Sequence, residues 1–158
     1  MRGGGTPGIP PSRRTCPITR QTPTAASGPT IVNPPTLPDP TERGYSTAVV
    51  APAGSRLAFV SGQGGFDRTG ALPDDFAAQV DLAYGALLAA VAGLGAGPER
   101  VVKLTIYVVD HEPSKLGPLT ATVMRAFGDR PPAQTLVSVP ALAVPGMLFE
   151  VEAVVALG

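Results

Sequence analysis

The chain has 158 residues with 12 Lys+Arg against 12 Asp+Glu, so its length argues for one domain and its balanced charge offers no general attraction to nucleic acid or an anionic membrane. One cysteine, Cys16, excludes an internal disulfide, and one histidine, His111, leaves the usual Cys/His metal sites and a Ser/His/Asp triad short of members. No metal or cofactor is expected, and no run of about 18 or more consecutive apolar residues argues for a membrane span.

Residues 1–43 hold ten of the 19 prolines, five of the 19 glycines, and five arginines against Asp39 and Glu42. Such a segment cannot bury enough apolar surface to offset its ordering entropy, so it reads as disordered or extended. It lacks the apolar stretch of a secretory signal, and its prolines oppose the amphipathic helix of a transit peptide. The expected location is the cytoplasm, with Cys16 an incidental thiol. The folded domain is expected over residues 44–158, where seven basic residues stand against ten acidic ones. That balance opposes phosphate binding.

In chain order, Tyr45–Ala51 and Leu57–Gln63 are two β-prone runs joined by Pro52-Ala53-Gly54-Ser55, which predicts an antiparallel hairpin. After a glycine-rich turn, Pro73-Asp74-Asp75 marks a helix start. Phe76, Val80, Ala83, Leu87, Val91 and Leu94 then recur at helical spacing until Gly93, Gly95 and Gly97 end the pattern. Val101–Val109 alternates as a strand, with Val102, Leu104, Ile106 and Val108 on one face and Lys103, Thr105 and Tyr107 on the other. Pro113–Phe127 is a second helix whose Gly117-Pro118 should delay its start. Gln134–Val139 and Met147–Leu157 are further strands. Asp67 breaks the dinucleotide-loop pattern after Ser61-Gly62-Gln63-Gly64-Gly65, so those glycines shape a turn or a close backbone approach. His111 reads as a solvated loop residue.

The order β-β-α-β-α-β-β implies a two-layer α+β sandwich, with two helices on one face of a mixed sheet. On the last strand Phe149, Val151, Ala153 and Val155 alternate with Leu148, Glu150, Glu152 and Val154. The second sheet face therefore mixes carboxylates with apolar groups. A face so apolar is seldom left to water, so several subunits are expected to pack there.

The order of elements, together with Gly44-Tyr45, Ser61-Gly62-Gln63, Ala78-Gln79, Val102-Lys103, Tyr107-Val108, Pro132-Ala133 and Phe149-Glu150-Val151-Glu152-Ala153, resembles the RidA/YjgF family of reactive-intermediate deaminases over residues 31–157. The resemblance implies a chorismate-mutase-like fold, a homotrimer, and small-molecule clefts between subunits where enamines and imines are hydrolysed. It also implies a carboxylate-gripping arginine in a Pro-Ala-Arg-Ser motif. This sequence has Pro132-Ala133-Gln134-Thr135 there. A neutral amide cannot supply the charge-assisted pairing of a guanidinium, which argues against the standard 2-aminoacrylate deaminase activity. Leu136 stands at the family's cysteine position and Thr120 at that of an asparagine.

By the same resemblance, Glu150 is the catalytic acid-base group, Ser61 and Gly62 with Gln134 hold a carbonyl, and Tyr45 closes a pocket also lined by Leu136 and Thr120. On a half-apolar face, Glu150 should have a raised pKa. The alternative is that it pairs with a basic group across the trimer. Two functions follow: an enzyme hydrolysing, tautomerising or condensing a small imine-, enamine- or carbonyl-containing metabolite, or a non-catalytic trimer that binds a metabolite or another protein. Neither reading involves nucleic acid or a membrane.

Overall fold

A computed structural model describes residues 28–158. Residues 1–27, with Cys16, lie outside the described residues. The chain runs β1 (Thr30–Val32), β2 (Ala48–Val50), β3 (Arg56–Gly64), α1 (Phe76–Gly93), β4 (Val101–Val109), α2 (Leu116–Phe127), β5 (Ala133–Val139) and β6 (Phe149–Leu157). The main sheet has the order β3-β6-β4-β5, with β4 and β5 parallel and the other neighbours antiparallel. Both helices lie on one face, giving the two-layer α+β sandwich.

Two connections differ from the sequence reading. The runs before and after Pro52-Ala53-Gly54-Ser55 do not pair with each other: β2 pairs with β1, and β3 pairs with β6. The turn itself forms, with Ser55 N–H donating to the Pro52 carbonyl at 3.2 Å and Gly54 at φ +81. A positive φ at the third turn residue is the type II arrangement, whose twist splays the flanking strands rather than closing a two-residue hairpin. β6 also offers β3 a nine-residue partner. The second difference lies within residues 28–43, which the sequence assigns to the N-terminal segment. They contain β1 and a 3-10 turn, Thr41–Arg43. The β1-β2 ribbon reaches the main sheet through the Ser46–Ala133 bridge.

Helix α1 forms as its pattern predicts. The Asp75 carboxylate accepts from Ala78 N–H at 2.7 Å, and at the other end Gly95 at φ +74 closes a Schellman turn in which Gly95 N–H donates to the Ala92 carbonyl and Ala96 N–H to that of Val91. Val80, Ala83, Leu87 and Val91 are buried against the sheet, while Leu94 is exposed. By length and composition this eighteen-residue helix is apolar enough to cross a membrane, although Gln79 and Asp81 interrupt its apolar run. Its packing against β3, β6 and α2 makes it the inner helix of a domain. Helix α2 starts at Leu116, so Gly117-Pro118 does not delay it. Proline is tolerated in a first helical turn, where its missing N–H has no intrahelical partner.

The β4 alternation sends Leu104, Ile106 and Val108 into the core, where they meet Val151, Phe149, Leu119 and Val123. The other face of the sheet carries no helix and leaves Phe59 77% and Leu57 51% exposed.

Candidate functional site

A cavity of about 630 Å³ opens at the free edge of β5, between that strand, α2 and the Thr41–Arg43 turn. Its wall includes Arg43, Tyr45, Thr120, Gln134 and Leu136. Gly44 holds the turn in place: its φ of +78 reverses the chain, and a Cβ there would meet Val123 at 3.3 Å, so only glycine lets the backbone lie this close to α2. The Thr120 hydroxyl donates to the Arg43 carbonyl at 3.4 Å. Ser46 then clamps the chain beside β5, with its N–H on the Pro132 carbonyl and its hydroxyl on that of Pro131. Arg43, Tyr45 and Gln134 also border a second hollow of about 290 Å³ that reaches Asp39.

The orientation of Gln134 follows from a buried phenol beneath it. Tyr84 packs at 5.8 Å on Phe149 and edge-on to Phe127, and burial pushes its pKa well above the ordinary tyrosine value. It therefore keeps its proton and needs an acceptor. That acceptor is Gln134 Oε1, at 3.4 Å. This bond ties Gln134, a residue of the cavity wall, to the buried helix α1.

Glu150 belongs to a different surface. It lies on the bare face of the sheet, beside a register shift in β3 that contains Ser61 and Gly62. The Glu150 side chain covers Gly62 so closely that any Cβ at position 62 would collide with its carboxylate. Next to it the Tyr107 hydroxyl donates to Glu152 at 3.3 Å. Desolvation, then the Glu152 charge, pushes the Tyr107 phenol up, while desolvation pushes Lys103 down against the opposing pull of Glu152. Lys103 itself donates to the Thr135 hydroxyl of its own chain.

Gln79 secures this arrangement from behind. It is fully buried on α1, donates to the Pro73 and Gly146 carbonyls at 2.8 and 2.9 Å, and accepts from Leu148 N–H at 2.8 Å. These bonds fix the entry to β6 two residues before Glu150. Gly65 is glycine for the same reason, since a Cβ there would strike the Gln79 backbone. Its close approach is to a helix and not to a ligand.

The residues singled out from sequence thus fall into two groups. Tyr45, Thr120, Gln134 and Leu136 meet at the β5 edge, whereas Ser61, Gly62 and Glu150 meet on the bare face. Gln134 pairs in register with Leu104 on the helix-covered side, and Glu150 pairs with Tyr107 on the other. Within one chain they do not share a cavity. Arg43 and Tyr84 escaped the sequence reading: Arg43 fell in the segment set aside as tail, and Tyr84 sits on α1 without any local motif. His111 is half-buried rather than solvated, with its Nδ1 unpartnered among the described residues. No group of three or more His, Cys, Asp or Glu among the described residues could hold a metal.

A mixed sheet of this order, covered by two helices on one face and hollowed at the β5 edge, defines the chorismate-mutase-like class of α+β domains. The chain belongs to the RidA/YjgF family, for the family profile described as Endoribonuclease L-PSP matches residues 37–157. Among solved structures, it is 31% identical to YyfB from Yersinia pestis, a Rid-family protein of unknown function, with a TM-score of 0.78 over 83% of this chain and 100% of that one. A YjgF/YER057c/UK114-family member from Mycobacterium tuberculosis is also 31% identical, with a TM-score of 0.56 over 82% and 99% of the two chains. RidA from an Antarctic Psychrobacter is 27% identical, with a TM-score of 0.60 over 72% and 88%. No curated protein matches the sequence.

Proposed function

We propose that the chain acts as a cytoplasmic homotrimeric RidA-like enzyme on a small imine-, enamine- or carbonyl-containing metabolite, and that it is not a standard 2-aminoacrylate deaminase. The observation that carries this reading is the division of the site. One chain offers a metabolite-sized edge cavity without an acid-base group on β5, and a carboxylate, Glu150, on a bare apolar face without a cavity of comparable size. Packing the bare face of one copy against the β5 edge of another would complete both halves and remove Phe59 and Leu57 from water.

In such a cleft Glu150 takes a proton from water as the oxygen adds to the C=N carbon. It passes that proton to the nitrogen to give a carbinolamine, then takes the carbinolamine hydroxyl proton and delivers it to the nitrogen as the C=O bond forms and the C–N bond breaks, so that a carbonyl compound and an amine or ammonia leave. The Ser61-Gly62 backbone and the Gln134 NH₂ hold the polar end of the substrate. The nuclease chemistry in the profile's description fits poorly with a domain of ten acidic and seven basic residues over positions 44–158.

Imines generated by amino-acid oxidases, followed by ammonia release or semicarbazone trapping, test the reading. Glu150→Gln should abolish turnover of any imine the protein hydrolyses while leaving its oligomeric state unchanged; an unaltered rate would remove the mechanism. The neutral Gln134 favours one second reading, a trimer that binds metabolites without converting them. Ligand binding at the cavity with no turnover across a broad imine panel would support it.

A further inference from the structure

We propose that Lys103 of one copy pairs with Glu152 of the next, so that an ion pair sets the register in which the bare sheet face receives a second copy of this chain. The inference rests on the reading that the bare face of one copy meets the β5 edge of another, and it names the charges that align them.

Strand register places the groups. On the bare face Thr105 lies between Glu152 of β6 and Thr135 of β5, with Lys103 one row to one side and Tyr107, opposite Glu150, one row to the other. Lys103 and Glu152 are therefore diagonal neighbours on adjacent strands, a spacing that long side chains can bridge. They line one shallow hollow of about 90 Å³ with Phe59 and Thr105, yet the one ion pair among the described residues is Arg125–Asp81. Lys103 Nζ turns instead to the Thr135 hydroxyl, which draws the ammonium towards β5, the strand at the edge of the main sheet. Glu152 is held from β4 on the other side, its Oε1 accepting from the Tyr107 hydroxyl at 3.3 Å. The Glu150 carboxylate leans away from both, over Gly62 of β3.

An ammonium drawn towards the docking edge and a carboxylate fixed on the receiving face become complementary when the edge of one copy meets the face of the next, the head-to-tail arrangement that closes into a ring. Left unpaired beside Phe59, each charge would be costly once water is excluded. Desolvation already pulls the Lys103 pKa down within one chain, against the opposing pull of Glu152. A covering layer would pull it further unless that layer brought an anion.

The test is fluorescence-detected sedimentation velocity on the full chain and its charge variants, each first shown to be folded by circular dichroism. Lys103→Glu and Glu152→Lys should each weaken self-association about tenfold or more, because like charges then face one another across the seam. Mixing the two variants, each with its own fluorophore, should restore assemblies that contain both, since every contact between unlike chains again joins opposite charges. The wild type needs no variant: raising NaCl from about 0.05 to 0.5 M should weaken its assembly by screening. Charge variants that assemble as the wild type does, a mixture whose chains stay apart, or wild-type assembly indifferent to salt would each overturn the proposal. If Phe59→Glu still abolishes assembly in those cases, the packing of copies through the bare face stands without this pair. A monomeric wild type, or normal assembly of Phe59→Glu, would remove the packing reading and the pairing together.

Discussion

The two faces of the four-stranded sheet carry similar apolar patterns but have different fates. On the helix side, Leu104, Ile106, Val108, Phe149 and Val151 are all sealed beneath α1 and α2. On the other side the same strands present Phe59, Leu57, Val154 and Tyr107 interleaved with Lys103, Glu150 and Glu152, with no layer above them. The covered face spends its apolar residues on stability. The bare face mixes them with charges, the composition of a surface that must meet another surface and also host polar chemistry. A group placed there is held by the β-ladder yet remains reachable, which suits an acid-base residue better than burial in the core.

The largest contrast should come from truncating equivalent positions on the two faces. Ile106→Ala removes a fully buried side chain and should lower the unfolding free energy by about 2–5 kcal/mol in chemical denaturation. A loss below about 1 kcal/mol would mean that the helix layer packs loosely. On the bare face, Phe59→Glu should change the unfolding of a single chain by less than about 1 kcal/mol, yet convert the assembly to monomers in sedimentation velocity. Retention of the assembly would show that the bare face is not the contact.

The smallest effect concerns the link between core and cavity. Tyr84 has a raised folded-state pKa because of burial, so the native state keeps this proton after the unfolded chain has begun to lose it. The resulting stability is present in full below the ordinary tyrosine value of 10.0 and is lost as pH rises beyond it towards the folded-state value. Tyr84→Phe should flatten this alkaline decline in denaturation profiles between pH 9 and 11. An equally steep alkaline decline in the variant would show that the buried phenol is not its source.

Much of this arrangement was legible in advance where the signal is local. The four-and-three spacing of Phe76 to Val91 defined α1, and alternation assigned Lys103 to Val108 and Phe149 to Val155 to the correct faces, while the register shift at Val102 brings Val101 into the core instead. What failed was pairing. The Pro52–Ser55 turn is real, but nothing near it reveals that β3 will prefer β6, whose paired residues, from Gly64↔Glu150 to Arg56↔Leu157, lie 86 to 101 positions on. The short β1 was overlooked because three residues in a proline-rich stretch carry no periodicity, and Arg43 was set aside with it.

The sequence by itself determined the class of fold, the two helices, the polarity of each sheet face and the substitution of Gln134 at a position where a cation was anticipated. Those features depend on repeat spacing and residue chemistry, which are written one position at a time. Only the tertiary structure decided that Gln134 and Glu150 lie on opposite faces, that a buried phenol donates to the Gln134 amide oxygen, and that the turn carrying Arg43 borders the same cavity. Such relations are set by strand order and by a turn docking on a distant helix, and no local pattern encodes either.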